Sequence, residues 1–169
     1  MAEPLTRPFY AQNRDDLLAP EDITAMTGLD FMTGILEGRL PAPPISETLN
    51  YQLHEVSLGR VVFRGAPEFG HTNPLGTTHG GWYGTLLDSA MACAVMTHLP
   101  VGRVYTTLEY KVNILRPIPE GCVTLALGQT SHVGRSTGVA WGEIRGEADG
   151  KLYATGSTTC IVMDGTRPG

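Results

Sequence analysis

The chain has 169 residues, enough for one ordinary domain with a real core and too few for two substantial ones. Charged residues are only 17% against 41% apolar, with 21 Gly and 12 Pro, which excludes disordered, coiled-coil and collagen-like classes. A net charge of −5, with Lys111 and Lys151 the only lysines among 12 bases, argues against a general nucleic-acid binder.

That excess is confined to one end. Residues 1–50 carry eight acids against three bases, whereas residues 51–169 carry nine of each. An acidic preface therefore precedes a charge-balanced body. The first residues contain no apolar export segment, so the expected location is the cytoplasm. Cys93, Cys122 and Cys160 form an odd set without CxxC spacing, which points to reduced thiols rather than a disulfide framework or zinc site.

In chain order, Pro20-Glu21-Asp22 reads as a helix start, and Gly38 with Pro41 as its end. Ile23, Met26, Phe31, Ile35 and Leu36 give an imperfect apolar stripe, which Gly28 divides into two pieces. Leu40-Pro-Ala-Pro-Pro44 is a stiff connector. Leu49, Tyr51 and Leu53, then Val61 and Phe63 beyond the Gly59 turn, alternate as two strands of a hairpin.

A loop rich in Gly, Pro, Asn and Thr covers 65–78 and feeds an apolar stretch from Gly80 to Leu99. That stretch holds Asp88 and several small polar residues, which suits a buried helix better than a membrane span. From Val104 to Leu115 a long strand is expected, with Val104, Thr106, Leu108, Tyr110, Val112 and Ile114 on one face. Tyr105, Thr107, Glu109, Lys111 and Asn113 form the other face. Three more strands follow at about 122–130, 137–147 and 151–163. An α+β domain is expected, its antiparallel sheet packed on one long helix. The boundaries are 1–44 for an N-terminal helical extension, 45–164 for the domain and 165–169 for a tail.

Three groups of residues are candidates for chemistry. Gly134-Arg135-Ser136-Thr137-Gly138 matches the GxSxG pattern of a nucleophile elbow but lacks its context, since a strand follows and the last histidine, His132, precedes the serine. A turn between strands is the better reading. His54, His71, His79, His98 and His132 show no helical ligand spacing and no HExxH, so no metal is expected.

The third group is Asn73-Pro-Leu-Gly76-Thr-Thr-His79-Gly80-Gly81, leading into the helix that carries Asp88. Two glycines at a helix start leave N–H groups unobstructed, and the helix dipole adds positive potential there, which makes an oxyanion hole. Asp88 lies in an otherwise apolar helix where an unpaired charge is costly, so it is either functional or a buried structural hydrogen-bond partner. At 1.5 Å per residue it lies roughly 12 Å from the Gly80 amide, too far for both to touch one reacting carbonyl. Two copies of the helix, antiparallel about a twofold axis, would bring Asp88 of one chain to Gly80 of the other, with Gly81, Gly84 and Ala92 permitting close approach.

N-x-x-G-x-x-H-G-G at Asn73, Gly76, His79, Gly80 and Gly81, the acid nine residues after the histidine, and Asn113-Ile-Leu-Arg116-Pro117 together resemble the PaaI-like hotdog-fold acyl-CoA thioesterases. The resemblance spans about residues 45–163. It implies a sheet wrapped around one helix, a homodimer that can pair into a tetramer, and an active site at the dimer interface. It makes Asp88 the catalytic general base or nucleophile, with the Gly80 amide holding the thioester oxygen. His79 and Asn73 would orient the carbonyl or water, and Thr107 would assist, with Thr106 as the near alternative.

For substrate binding the candidates are Gly81 beside the oxyanion hole, Ser136 in its turn and, for the phosphates of coenzyme A, Arg116 and Arg135. Coenzyme A is part of the substrate, and no separate cofactor is implied. The apolar stripe and Pro-rich connector of the preface are expected to cover the acyl end of the pocket, with the excess acids facing solvent. A hotdog dehydratase or hydratase and a non-catalytic acyl-CoA sensor are the competing functions.

Overall fold

The computed structural model describes residues 8–165. Residues 1–7 and 166–169 lie outside it, and with them Glu3 and Arg7 of the acidic preface and all but Gly165 of the expected tail. The preface folds into short helices: α1 (Pro20–Thr24), α2 (Gly28–Leu36) and α3 (Pro44–Thr48). Gly28 does open the second piece, capped by the Thr27 side chain accepting from the Asp30 N–H. The close fit there is absolute: a Cβ on Gly28 would stand 1.8 Å from the Met96 carbonyl oxygen. The connector is shorter than expected, because Pro44 takes the first position of α3, where its missing N–H is no loss.

Six strands follow in the expected order around the long helix α4 (Gly80–Met96). They are β1 (Tyr51–Ser57), β2 (Arg60–Gly65), β3 (Arg103–Ile114), β4 (Thr124–Val133), β5 (Thr137–Gly146) and β6 (Leu152–Asp164). Leu49 closes α3 instead of joining β1, and Asn50, at φ 51°, turns the chain into the strand. The strands form one antiparallel sheet in the order β1-β2-β4-β5-β6-β3, which leaves β3 on an edge. The expected face assignment of β3 is corrected by a bulge. Thr107 pairs with Cys160 and Glu109 with Thr159, so Leu108 is an extra residue and the alternation resets. Tyr105 and Thr107 thus share the helix-facing side with Tyr110, Val112 and Ile114.

Helix α4 is apolar nearly all round because the sheet and α2 enclose it; Leu86, Leu87, Ala90, Met91, Ala94 and Val95 have no exposed surface. The approach is close because glycines stand opposite it. Gly128, Gly142 and Gly156 are in register on β4, β5 and β6, forming a row across the sheet. A Cβ on Gly128 would lie 2.1 Å from the Ala90 carbonyl oxygen, and one on Gly142 would lie 2.8 Å from the Met91 side chain. The Arg64 guanidinium on β2 grips the Glu147 carboxylate just past β5 with two bonds of 2.6 and 2.8 Å, fixing the sheet end near β2. The proposed Gly81, Gly84, Ala92 stripe does not form a bare helix face: Gly84 lies under the Tyr110 ring and Ala92 is buried in its own core.

Replacing Gly128 with Ala should force α4 off the sheet, since the obstruction is backbone and cannot rotate aside. Overpacking of this kind costs about 3 kcal/mol, and thermal denaturation should show a midpoint lower by roughly 5–10 °C.

Candidate active site

Each piece of the N-x-x-G-x-x-H-G-G segment has a defined structural part. The Asn73 side-chain oxygen accepts from the N–H groups of Leu75 (2.9 Å) and Thr77 (3.3 Å), while its amide donates to the Thr77 hydroxyl (2.9 Å). Asn73 therefore shapes its own loop. Gly76 supplies the left-handed turn at φ 73°. Thr78 is buried and donates to the Ile118 carbonyl at 2.7 Å, anchoring the loop's end. His79 caps α4, with Nδ1 accepting from the Gly81 N–H at 2.9 Å, which fixes the neutral ring with its proton on Nε2.

Gly81's N–H is thus occupied. Gly80's N–H has no acceptor among the described residues and is the free donor at the helix N-terminus, on a residue exposed within one chain. Asp88 lies two turns further along α4, half-buried. The Thr107 hydroxyl donates to its Oδ1 at 2.9 Å, across from β3. Burial pushes the Asp88 carboxyl above the ordinary carboxylate range, and the Thr107 bond draws it part of the way back. Thr106, the near alternative, is exposed and one position away from that contact.

Groups that the sequence does not single out complete the surroundings. The Tyr51 and Ser89 hydroxyls are 2.9 Å apart, and Ser46 of α3 also bonds the Tyr51 hydroxyl. Tyr105 and Cys93 bond one another beside Asp88, and burial pushes the Cys93 thiol up to about 12, so it is neutral and no nucleophile at ordinary pH. Their signal in the sequence is faint. Ser89 is the residue after Asp88, and Tyr51 reads as one more strand aromatic.

Ser89, Cys93 and Tyr105 also belong to the wall of an apolar cavity of about 470 Å³. The opposite wall comes from the preface, through Ile23, Phe31, Met32 and Ile35, the connector residues Pro41 to Pro43, and Ser46. The described acids of the preface, apart from the half-buried Asp16, are exposed.

The two expected phosphate ligands lie apart within one chain. Arg116 stands near the Gly80 end of α4, where the Tyr83 hydroxyl donates to its carbonyl at 3.3 Å, and its guanidinium donates to the Leu152 carbonyl at 2.6 Å. Arg135 and Ser136 occupy the exposed β4–β5 turn at the other end, with Gly138 packed on Val95. A strand on each side of Ser136 makes GxSxG a turn there. Among the described residues, no three of His, Cys, Asp and Glu gather as for a metal ion, and no helix is long and apolar enough to cross a membrane.

A single sheet of this order closed over one long helix, with HGG at the helix start, defines a hotdog domain. The family model described as Thioesterase superfamily matches residues 75–153. A Caenorhabditis elegans protein named as an esterase is 31% identical over 109 residues, and that match spans 64% of this chain and 64% of the relative's own length. A thioesterase-named, phenylacetic acid degradation-related protein of Ralstonia eutropha JMP134 superimposes with a TM-score of 0.71 at 28% identity, covering 78% of this chain and 98% of that one. A thioesterase-named protein of Streptococcus pneumoniae TIGR4, solved with coenzyme A, gives a TM-score of 0.62 at 26% identity over 68% of this chain and 87% of that one. The match to the Thioesterase superfamily over residues 75–153 and the shared fold make the chain similar to PaaI-like hotdog thioesterases.

Because the folded-state pKa of Asp88 stands above its unfolded value, ionising it costs stability as pH rises through that interval. Asp88→Asn should therefore melt at or above the temperature of the native protein near pH 7.5. Thermal melts repeated toward about pH 4 should show the advantage shrinking, as both states of the native carboxyl become protonated.

Proposed function

We propose that the protein hydrolyses acyl-CoA thioesters as a homodimer whose two sites each combine Asp88 of one chain with the Gly80 amide of the other. The observation that carries this reading is the pairing of a half-buried, Thr107-held carboxylate with a free helix-start N–H two turns away on the same helix. Eight residues of α-helix separate the two by about 12 Å, whereas both must lie about 3 Å from their targets on one substrate.

An exposed edge supports association. Among the described residues strand β3 has no partner on one side, and it presents Leu108 and Tyr110 at 59% and 47% exposure, with Ile114 and Leu115 at its end. Pairing β3 with its copy would continue the sheet and lay the two α4 helices antiparallel. The β4–β5 turn with Arg135 and Ser136 would then approach the partner's Gly80 and Arg116, uniting the residues that one chain keeps apart. The coenzyme A held by the pneumococcal relative is the precedent for that end of the ligand.

In the reaction the raised basicity of Asp88 suits a general base. Its free oxygen takes a proton from water as the water oxygen bonds to the acyl carbon. The carbonyl oxygen gains the negative charge and is held by the Gly80 N–H. Collapse breaks the C–S bond, and coenzyme A leaves as the thiolate. Attack by Asp88 itself through a mixed anhydride is the alternative course, and single turnover in heavy-oxygen water separates the two, since only the anhydride route labels the Asp88 carboxyl.

Gly80→Pro removes the donor at a helix position that accepts proline, where an added Cβ would meet only the end of Ile114. It and Asp88→Asn should each lose at least about a hundredfold in kcat on acyl-CoA thioesters, followed by thiol release. Unfolded and refolded together in equal amounts, they should recover roughly a quarter of native activity, because half the dimers carry one intact site. No recovery from the mixture would exclude the shared site. In Thr107→Val the carboxylate loses the bond favouring its charged form, so the acidic limb of the kcat/KM profile should move to higher pH.

A further inference from the structure

The cavity beside α4 is made jointly by the domain and the acidic preface, and its shape bears on which acyl group is taken. Native interiors leave few voids larger than a water molecule, and an empty apolar hole is destabilising in proportion to its size. A hole of about 470 Å³ is within the range of ligand pockets, and the preface forms an entire wall of it. Among the described residues no charged side chain lines it; its polar groups include Ser46, Ser89 and Tyr105, which lie toward Asp88.

Along α4 the wall residues are Ser89, Cys93 and Met96, one face of the helix. From the first to the last is about 10 Å of helix axis. The Met96 end is closed by α1 and α2, where Ile23, Phe31 and Met32 gather with Met96 into a small apolar cluster. An extended chain advances about 1.2 Å per bond, so roughly eight or nine bonds fit between the Asp88 neighbourhood and that closed end.

We infer that the preface is the end wall of an acyl pocket and that the protein selects straight acyl chains of about eight to ten carbons. The inference rests on the thioesterase reading and adds the substrate class to it. Ile23 and Phe31 act as the length gauge: they stop the chain's end without touching the reacting atoms.

The test is a series of straight-chain acyl-CoA thioesters from acetyl to palmitoyl, with phenylacetyl-CoA beside it. For the native full-length protein, kcat/KM should climb by about fourfold per methylene to a maximum at octanoyl or decanoyl, then fall. Ile23→Trp, which fills the closed end, should lower decanoyl turnover by about tenfold, leave butyryl turnover within about twofold, and move the maximum to shorter chains. Phe31→Ala should move it to longer ones, and thermal melts establish that both variants are folded. Either variant alone decides the matter if the other fails to fold.

A native maximum at acetyl, butyryl or phenylacetyl, or a maximum that neither folded variant moves, overturns the inference while leaving hydrolysis standing. Failure to cleave any thioester overturns the enzymatic reading instead. In that case calorimetry with non-hydrolysable thioether analogues of the same lengths decides the pocket: a binding maximum at eight to ten carbons upholds the inference, and its absence overturns it.

Discussion

The closeness of α4 to the sheet is the constraint from which the rest of the molecule follows. Gly128, Gly142 and Gly156 stand side by side on three adjacent strands, and at Gly128 the space that a side chain would need is taken by the backbone of Ala90. A helix seated that deeply must be apolar on nearly every side, as α4 is, and water is removed from whatever polar group it carries. Asp88 carries the consequence. Its raised pKa reflects the enclosure of α4 first, and the single hydroxyl of Thr107 only partly offsets it.

The bulge on β3 makes that partial offset available. Without Leu108 as an extra residue, simple alternation would place Thr107 on the face opposite Tyr110, Val112 and Ile114. With it, the strand covers α4 by apolar groups along most of its length and still presents one donor to the carboxylate. The same strand lies on the sheet edge, so the element that tunes Asp88 is paired on one side only among the described residues. A carboxylate in mid-helix and a free N–H at the helix start on one rigid rod fix their separation, and a rod cannot bend to bring them together. Activity that needs both groups on one acyl carbon needs two rods.

Most of the element order and the pairing of HGG with Asp88 are legible in the sequence, because they rest on local signals: period-two alternation, turn residues and a single acid in an apolar run. Thr107 is reached from the resemblance, and the structure places it against Asp88. What sequence reasoning misses is non-local. The three glycines of the sheet row are far apart along the chain and look like ordinary strand glycines until the register aligns them. The bulge cannot be seen in a strand whose alternation is clean on paper. The small residues of α4 read as a seam for a second helix, yet Gly84 serves the Tyr110 ring of its own chain. Tyr51 and Ser46 matter only because α3, of which Pro44 alone reads in the sequence as the end of a connector, carries Ser46 to the Tyr51 hydroxyl.

The charge asymmetry between preface and body has a structural reason that composition alone does not supply. The preface cannot bury both of its faces, since its helices are short and lie on the outside of the domain. Its apolar side chains close the cavity beside α4, and its acids, Asp15, Glu21, Asp22, Asp30, Glu37 and Glu47 among them, are left to water. Such a segment is held by one apolar face rather than by propensity, because helices of five to nine residues are not stable alone. Its attachment and the shape of the cavity are therefore the same set of contacts: whatever fills the cavity also strengthens the seat of α1 and α2, and whatever loosens those helices opens the cavity to solvent. Binding of an apolar group there and ordering of the preface are thermodynamically linked, each favouring the other.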